Sequence, residues 1–258
     1  MHSLLSLTLT HNRFLSRSTA PLSVEETFHQ YHSVALLKCK LTSPIDESEL
    51  DPLWAASMIL GIVNAYHVEG TCPAGVWPLK TESSSDLSWL KIINGRNQIQ
   101  HLLNTSTNDS MFNTSYHEAV KSFMPSSSCT QLQDLPVDFV SLYHLDCPEI
   151  RTQNPCYTVA VAVARVLYLD SMFPVLMGFL EFVANMSNDY AQLLKQKEPR
   201  ALLVLAYWHA KTSQFQLWWL SRRAVLEGKA ICIHLRKHHG DFMEIQNLLA
   251  CLETALVA

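Results

Sequence analysis

Apolar positions recur at spacings of three and four along most of this chain. No alternating strand pattern longer than about four residues stands outside stretches better read as helix. Leu4, Leu5, Leu7, Phe14 and Leu15 place a first helix over residues 3–16. The stretch "STAPLSVEE" then supplies a proline turn and a helix start, with Ser23 as N-cap and Glu26 three residues on. Residues 24–42 follow as a helix carrying Phe28, Tyr31, Ala35, Leu36 and Leu41 on one side. "SPIDESELD" is a polar linker that loads acid onto the start of the next helix. That helix, residues 49–69, is apolar nearly all round and is expected at the centre of the core. "GTCPAGVWPLKTESSSD" reads as a loop, and residues 86–103 as a further helix.

Residues 104–134 are rich in Ser, Thr and Asn and are expected to be a mobile loop, with one short helix near 115–123. A short helix is predicted over 137–145. Residues 156–185 are apolar enough to raise a membrane-spanning reading. Arg165, Asp170 and Glu181 interrupt the run and Pro174 bends it, which favours a buried helix. Segments 188–196, 199–213, 214–238 and 241–256 complete the series, with breaks near Gln214 and Gly240. The expected architecture is all-α: a single bundle-like domain of roughly nine helices over residues 1–258.

Composition narrows the function classes. Charged residues make up only 16% and the net charge is −4, so the chain is a poor match for a polyanion. Seven glycines in 258 residues leave little material for phosphate-cradling loops. Seven scattered cysteines, with no CxxC spacing, read as reduced and mostly buried thiols in a nuclear or cytosolic protein. The opening segment lacks the basic region and cleavage site of a signal peptide.

Catalytic and metal signatures are sparse. There is no HExxH, no cysteine pair, no DDxxD and no GxSxG. His234 and His238 stand at i,i+4, a spacing that can chelate a metal, but "HLRKHH" is equally well read as a basic helix C-terminus. Neither metal nor cofactor is expected. Basic residues are dispersed, so direct DNA binding by this chain is not expected either.

The aromatic richness of residues 202–235 is the strongest signal. Within 214–238, Leu217, Leu220, Ala224, Gly228, Ile231 and Leu235 make one stripe, and Trp218, Val225 and Cys232 a second row. Small Ala224 and Gly228 would let a partner backbone come close. Trp218 with Arg222, and Trp219 with Arg223, are i,i+4 partners suited to cation–π stacking, and Glu227 can pair with Arg223. This helix is expected at the centre of the domain.

The stretch "RALLVLAYWHAK…WWLSRRAVLEGKAICIHL" resembles the C-terminal signature of the regulatory domain in fungal zinc-cluster transcription factors of the sterol uptake control type. "MHSLLSLTLTHNRFL", "HQYHSVALLKCKL", "DPLWAASMILGIV" and "SSSDLSWLKIINGRNQI" are similar to that family's preceding helices, in the same order. The resemblance covers most of residues 1–256, with 104–150 poorly matched. It implies a helical ligand-sensing domain of a nuclear regulator, binding a sterol or another hydrophobic small molecule and performing no catalysis. The family's Zn2Cys6 finger has no counterpart in residues 1–258. Trp54, Met58, Tyr207, Trp208, Trp218 and Trp219 are the candidate lining of such a pocket. Two other readings remain: a finger-less module that forms a homodimer or pairs with a full-length regulator, and a helical enzyme acting on terpenoid or lipid substrates.

Overall fold

Ser23 starts the second helix in the way its sequence dictates. Its hydroxyl accepts from the Glu26 amide at 3.1 Å, and the Glu26 carboxylate accepts from the Ser23 amide at 2.7 Å, a complete capping box. The computed structural model describes residues 1–83, 85–93, 95, 99, 135–150 and 153–256. The expected loop over 104–134, with its short helix, lies outside the described residues. Among the described residues the fold is all-α, with no strand. Ten α-helices have defined bounds there and residues 88–93 are helical as well, more than the nine expected.

The chain divides into two compact units, Met1–His67 with Leu87–Ala119, and Val68–Asp86 with Val120–Ala258. In the first, α1 (His2–Leu15), α2 (Val24–Leu41) and α3 (Leu50–Tyr66) pack pairwise on one another. The expected central helix is α3: Leu53, Leu60, Val63 and Ala65 are buried, and Gly61 lies where a Cβ would come within 3.3 Å of Ile93 Cγ1. The other two helices reverse the expected polarity. α1 buries Ser6 and Thr10, and α2 buries Glu26 and Ser33. Leu4, Leu15, Phe28, Tyr31 and Leu36, which the sequence pattern places on core-facing sides, are exposed. The buried Arg13–Glu26 pair lies between α1 and α2, and part of their apolar surface is left outward.

In the second unit, α4 (Val137–Tyr143), α5 (Tyr157–Val166), α6 (Met172–Ala184), α7 (Asn188–Lys195), α8 (Pro199–Ser213), α9 (Ser221–His238) and α10 (Met243–Ala255) follow in order. Every residue of α8 from Ala201 to Thr212 is buried, and α8 packs on α5, α6, α7, α9 and α10. The central rod is therefore α8, not the expected 214–238 segment. That segment is a helix only from Ser221. Residues 214–220 form turns, with Gln216 at φ 47°, a left-handed conformation that ends the preceding helix. The stripe Ala224, Gly228, Ile231 and Leu235 is buried as expected. Gly228 gives the close approach: a Cβ there would meet His209 Cβ on α8 at 3.2 Å and Leu256 Cδ2 at 3.0 Å.

The apolar run 156–185 is two helices rather than one bent one. α5 ends at Val166, residues 167–171 are non-helical, and Pro174 sits in the first turn of α6, where its missing amide is harmless. A Cβ on Gly178 would come to 2.1 Å from Val166 Cγ1, so glycine is required where α5 and α6 cross. The Arg165 guanidinium pairs with Glu181 across the same two helices. No helix among the described residues is long and apolar enough to cross a membrane.

Candidate functional site

The six residues expected to line a pocket fall into both units. Trp54 and Met58 lie on α3 of the first, half-buried. Tyr207, Trp208, Trp218 and Trp219 belong to the second. Trp208, 2% exposed, packs against Phe179 at 4.8 Å and Phe182 at 5.3 Å between ring centroids, and Trp219 meets the same Phe179 edge-on at 5.5 Å. Trp208 and Trp219 are thus joined through one phenylalanine. Tyr207 is turned elsewhere by its helical step: its ring packs on Phe139 at 5.0 Å and its hydroxyl donates to the Leu248 carbonyl at 3.2 Å. Trp218 is half-buried in the turn before α9, so neither it nor Trp219 sits on the helix that the i,i+4 pairing with Arg222 and Arg223 requires. Arg222 donates instead to the Gly70 carbonyl at 2.9 Å.

Beside this aromatic packing is a buried ionic cluster. Arg223 pairs with Glu227 one turn along α9, and His209 Nε2 of α8 stands 3.5 Å from the other Glu227 oxygen. Burial works to raise the Glu227 carboxyl, but Arg223 and His209 outweigh it and leave Glu227 below the ordinary carboxylate range. Burial lowers His209 despite its acidic neighbour. The three side chains, at 7%, 4% and 0% exposure, lie deep in the α8–α9 contact, where a solvent-borne substrate does not reach them. Their chemistry is that of a sealed charge pair with a neutral imidazole beside it.

An open cleft of about 420 Å³ lies in the first unit instead, formed by the start of α1, the second half of α2 and the first turns of α3. Leu36, Leu37, Pro52, Leu53 and Ala56 give it apolar walls, and Ser3, Ser33, Ser48, Lys40 and Glu49 add polar groups. Lys40 and Glu49 form an ion pair with each other, which raises Lys40 and lowers Glu49. His2, also on the wall, places Nδ1 2.8 Å from His29 Nδ1 and stacks on the His32 ring at 5.2 Å between centroids. One imidazole must donate and the other accept, so at least one of the pair is neutral. Burial, then His29 and His32, lower the pKa of His2.

None of the six expected residues lines this cleft, although Leu53 and Ala56 flank Trp54 on α3. The cleft residues escaped the sequence reading because they come from α1, α2, the turn at 47–49 and α3, and form a wall only when these elements pack together. Six cysteines are described. Cys39, Cys72 and Cys251 are exposed, Cys147 is half-buried, and only Cys156 and Cys232 are buried, against the expectation of mostly buried thiols. The His234 and His238 rings stand 4.6 Å apart. Burial, reinforced by His238, Lys197, His239 and Lys237, pushes His234 down to about 4. No group of three His, Cys, Asp or Glu among the described residues is arranged to hold a metal ion. Comparison with protein-family models, curated proteins and solved structures finds no match to this chain.

Proposed function

We propose that this chain is the ligand-sensing, non-catalytic regulatory domain of a nuclear transcription regulator governing sterol or secondary-metabolite genes. Its ligand is a hydrophobic small molecule such as a sterol. The observation that carries the reading is the 420 Å³ cleft with apolar walls and a few polar groups, a size and lining suited to a small apolar ligand with one polar end. The ordered sequence motifs supply the regulatory context. The cleft replaces the tryptophans as the binding locus, since Trp208 is committed to core packing.

Titration of the full chain with an intrinsically fluorescent sterol tests this. Saturable binding is expected, weakened at least tenfold by Ala56→Trp, which fills the cleft, and unchanged by Trp218→Ala. Absence of saturable binding by wild type, or a signal indifferent to Ala56→Trp, overturns the reading.

The second reading, a module that pairs with itself or with a full-length regulator, is favoured by a separate observation: the outward apolar sides of α1 and α2.

A further inference from the structure

Arg236, Lys237 and His238 occupy the last turn of α9, where the helix dipole favours positive charge. His234 needs a different account. It lies one turn earlier, is only 9% exposed, and makes no hydrogen bond or ion pair among the described residues. Its ring nitrogens are nevertheless not sealed from solvent, unlike those of His209. A buried imidazole ordinarily finds a partner. What surrounds His234 is more positive charge. Its ring stands 4.6 Å from that of His238 and 6.1 Å from that of His239 between centroids. Lys197, from the turn between α7 and α8, and Lys237 act on it as well. Burial first, and then these four groups, push its pKa down to about 4. Lys197 comes from outside α9, so the dipole of α9 does not explain its presence. It pairs at 3.1 Å with Glu82, whose own side chain is 74% exposed.

We propose that His234, His238, His239 and Lys197 form a binding site for a small tetrahedral oxyanion, phosphate or sulfate. The buried His234 ring donates a hydrogen bond from one nitrogen, His238 and His239 donate from the rim, and the Lys197 ammonium adds charge. Helical side chains lean toward the N-terminus, so the site lies beside α9 and not beyond its last carbonyls, which repel an anion. An oxyanion supplies the hydrogen-bond partner that His234 lacks and offsets the repulsion among the cationic groups. A metal ion is the poorer occupant. No three-donor group exists among the described residues, and Lys197 and Lys237 repel a cation. The inference is independent of the ligand reading, whose cleft belongs to the other unit.

Histidine-selective NMR of the full chain tests it, with sulfate added against chloride at equal ionic strength. Sulfate keeps its charge across the titration, so changes with pH report the protein. Saturable shifts of the His234 and His238 resonances are expected, with a rise of about one pH unit in the His234 midpoint. Binding should tighten as pH falls, because protonated imidazole and bound oxyanion favour each other. Inorganic phosphate at neutral pH should compete at the same resonances. Lys197→Met and His238→Gln, both outside the core, should each weaken binding roughly tenfold with unchanged far-ultraviolet circular dichroism. Lys38→Met, which removes the same charge from the first unit, should leave it unchanged. Absence of saturable shifts, an equal response to chloride, or binding indifferent to Lys197→Met overturns the proposal. So does a zinc salt that perturbs these resonances where sulfate does not.

Discussion

Arg13 holds both carboxylate oxygens of Glu26 across the α1–α2 hairpin, Nε to Oε1 at 2.7 Å and Nη2 to Oε2 at 2.6 Å. The same carboxylate caps α2 through the Ser23 amide, so one buried group fixes both the helix start and the packing of its predecessor. In the intervening turn the Ala20 carbonyl accepts from Arg13 Nη1 and the Pro21 carbonyl from Nη2.

This arrangement predicts an acid-sensitive first unit. The Arg13 hydrogen bonds, opposed by burial and aided by Ser23, lower the Glu26 carboxyl from 4.5 to about 2. Its folded value lies below its unfolded one. The stabilisation is therefore complete above the unfolded value and is lost as pH falls from about 4.5 through about 2; it amounts to on the order of 3 kcal/mol. Denaturant melts across that window should show the loss in wild type and a much flatter profile in Glu26→Gln. Arg13→Ala, which strands the buried carboxylate, should cost about 3–5 kcal/mol at neutral pH.

A second prediction concerns the Arg223–Glu227–His209 cluster. Because its members are sealed between α8 and α9, removing one charge leaves another buried and uncompensated. Arg223→Met alone should destabilise the second unit by about 3–5 kcal/mol, whereas Arg223→Met with Glu227→Leu should recover most of that loss. Equilibrium urea unfolding measures both. Equal destabilisation by the single and double variants would show that solvent reaches the pair.

A third prediction follows from glycine geometry. Gly178→Ala must push Val166 aside in a packed crossing, and should destabilise by about 1–3 kcal/mol through overpacking. Pairing it with Val166→Ala should relieve most of the strain, as read by thermal unfolding.

Thiol labelling gives a fourth. In the native chain Cys39, Cys72 and Cys251 should react promptly with an aromatic disulfide reagent. Cys156, whose thiol burial pushes up to about 12, and buried Cys232 should react only on unfolding. Peptide mapping after a short pulse separates the two groups.

Helix placement was largely legible from local signals. The Ser23 capping box, the all-round apolarity of α3 and the small stripe around Gly228 each specify their element from a few residues. What periodicity could not convey is which side of an amphipathic helix faces inward. α1 and α2 bury Ser6, Thr10, Glu26 and Ser33, because the Arg13–Glu26 pair and close backbone packing decide their orientation. The break near Gln214 was legible, but its extension through Leu220 was not. "QFQLWWL" contains no glycine or proline, and the left-handed residue that breaks the helix is a glutamine. For the tryptophan candidates the sequence carries the same ambiguity, since aromatic mass marks core and pocket alike; Trp208 is packed in the core. The cleft residues Ser33, Lys40 and Glu49 form a wall only once three helices are assembled.

Photolysis of a diazirine-bearing sterol on the full chain, followed by mass-spectrometric mapping of the labelled peptides, tests ligand sensing most directly. The cleft reading predicts label between Ser33 and Lys40 and between Ser48 and Ala56, competed away by excess unlabelled sterol. Label confined to the peptides bearing Trp208, Trp218 and Trp219, or label that no competitor reduces, would contradict it.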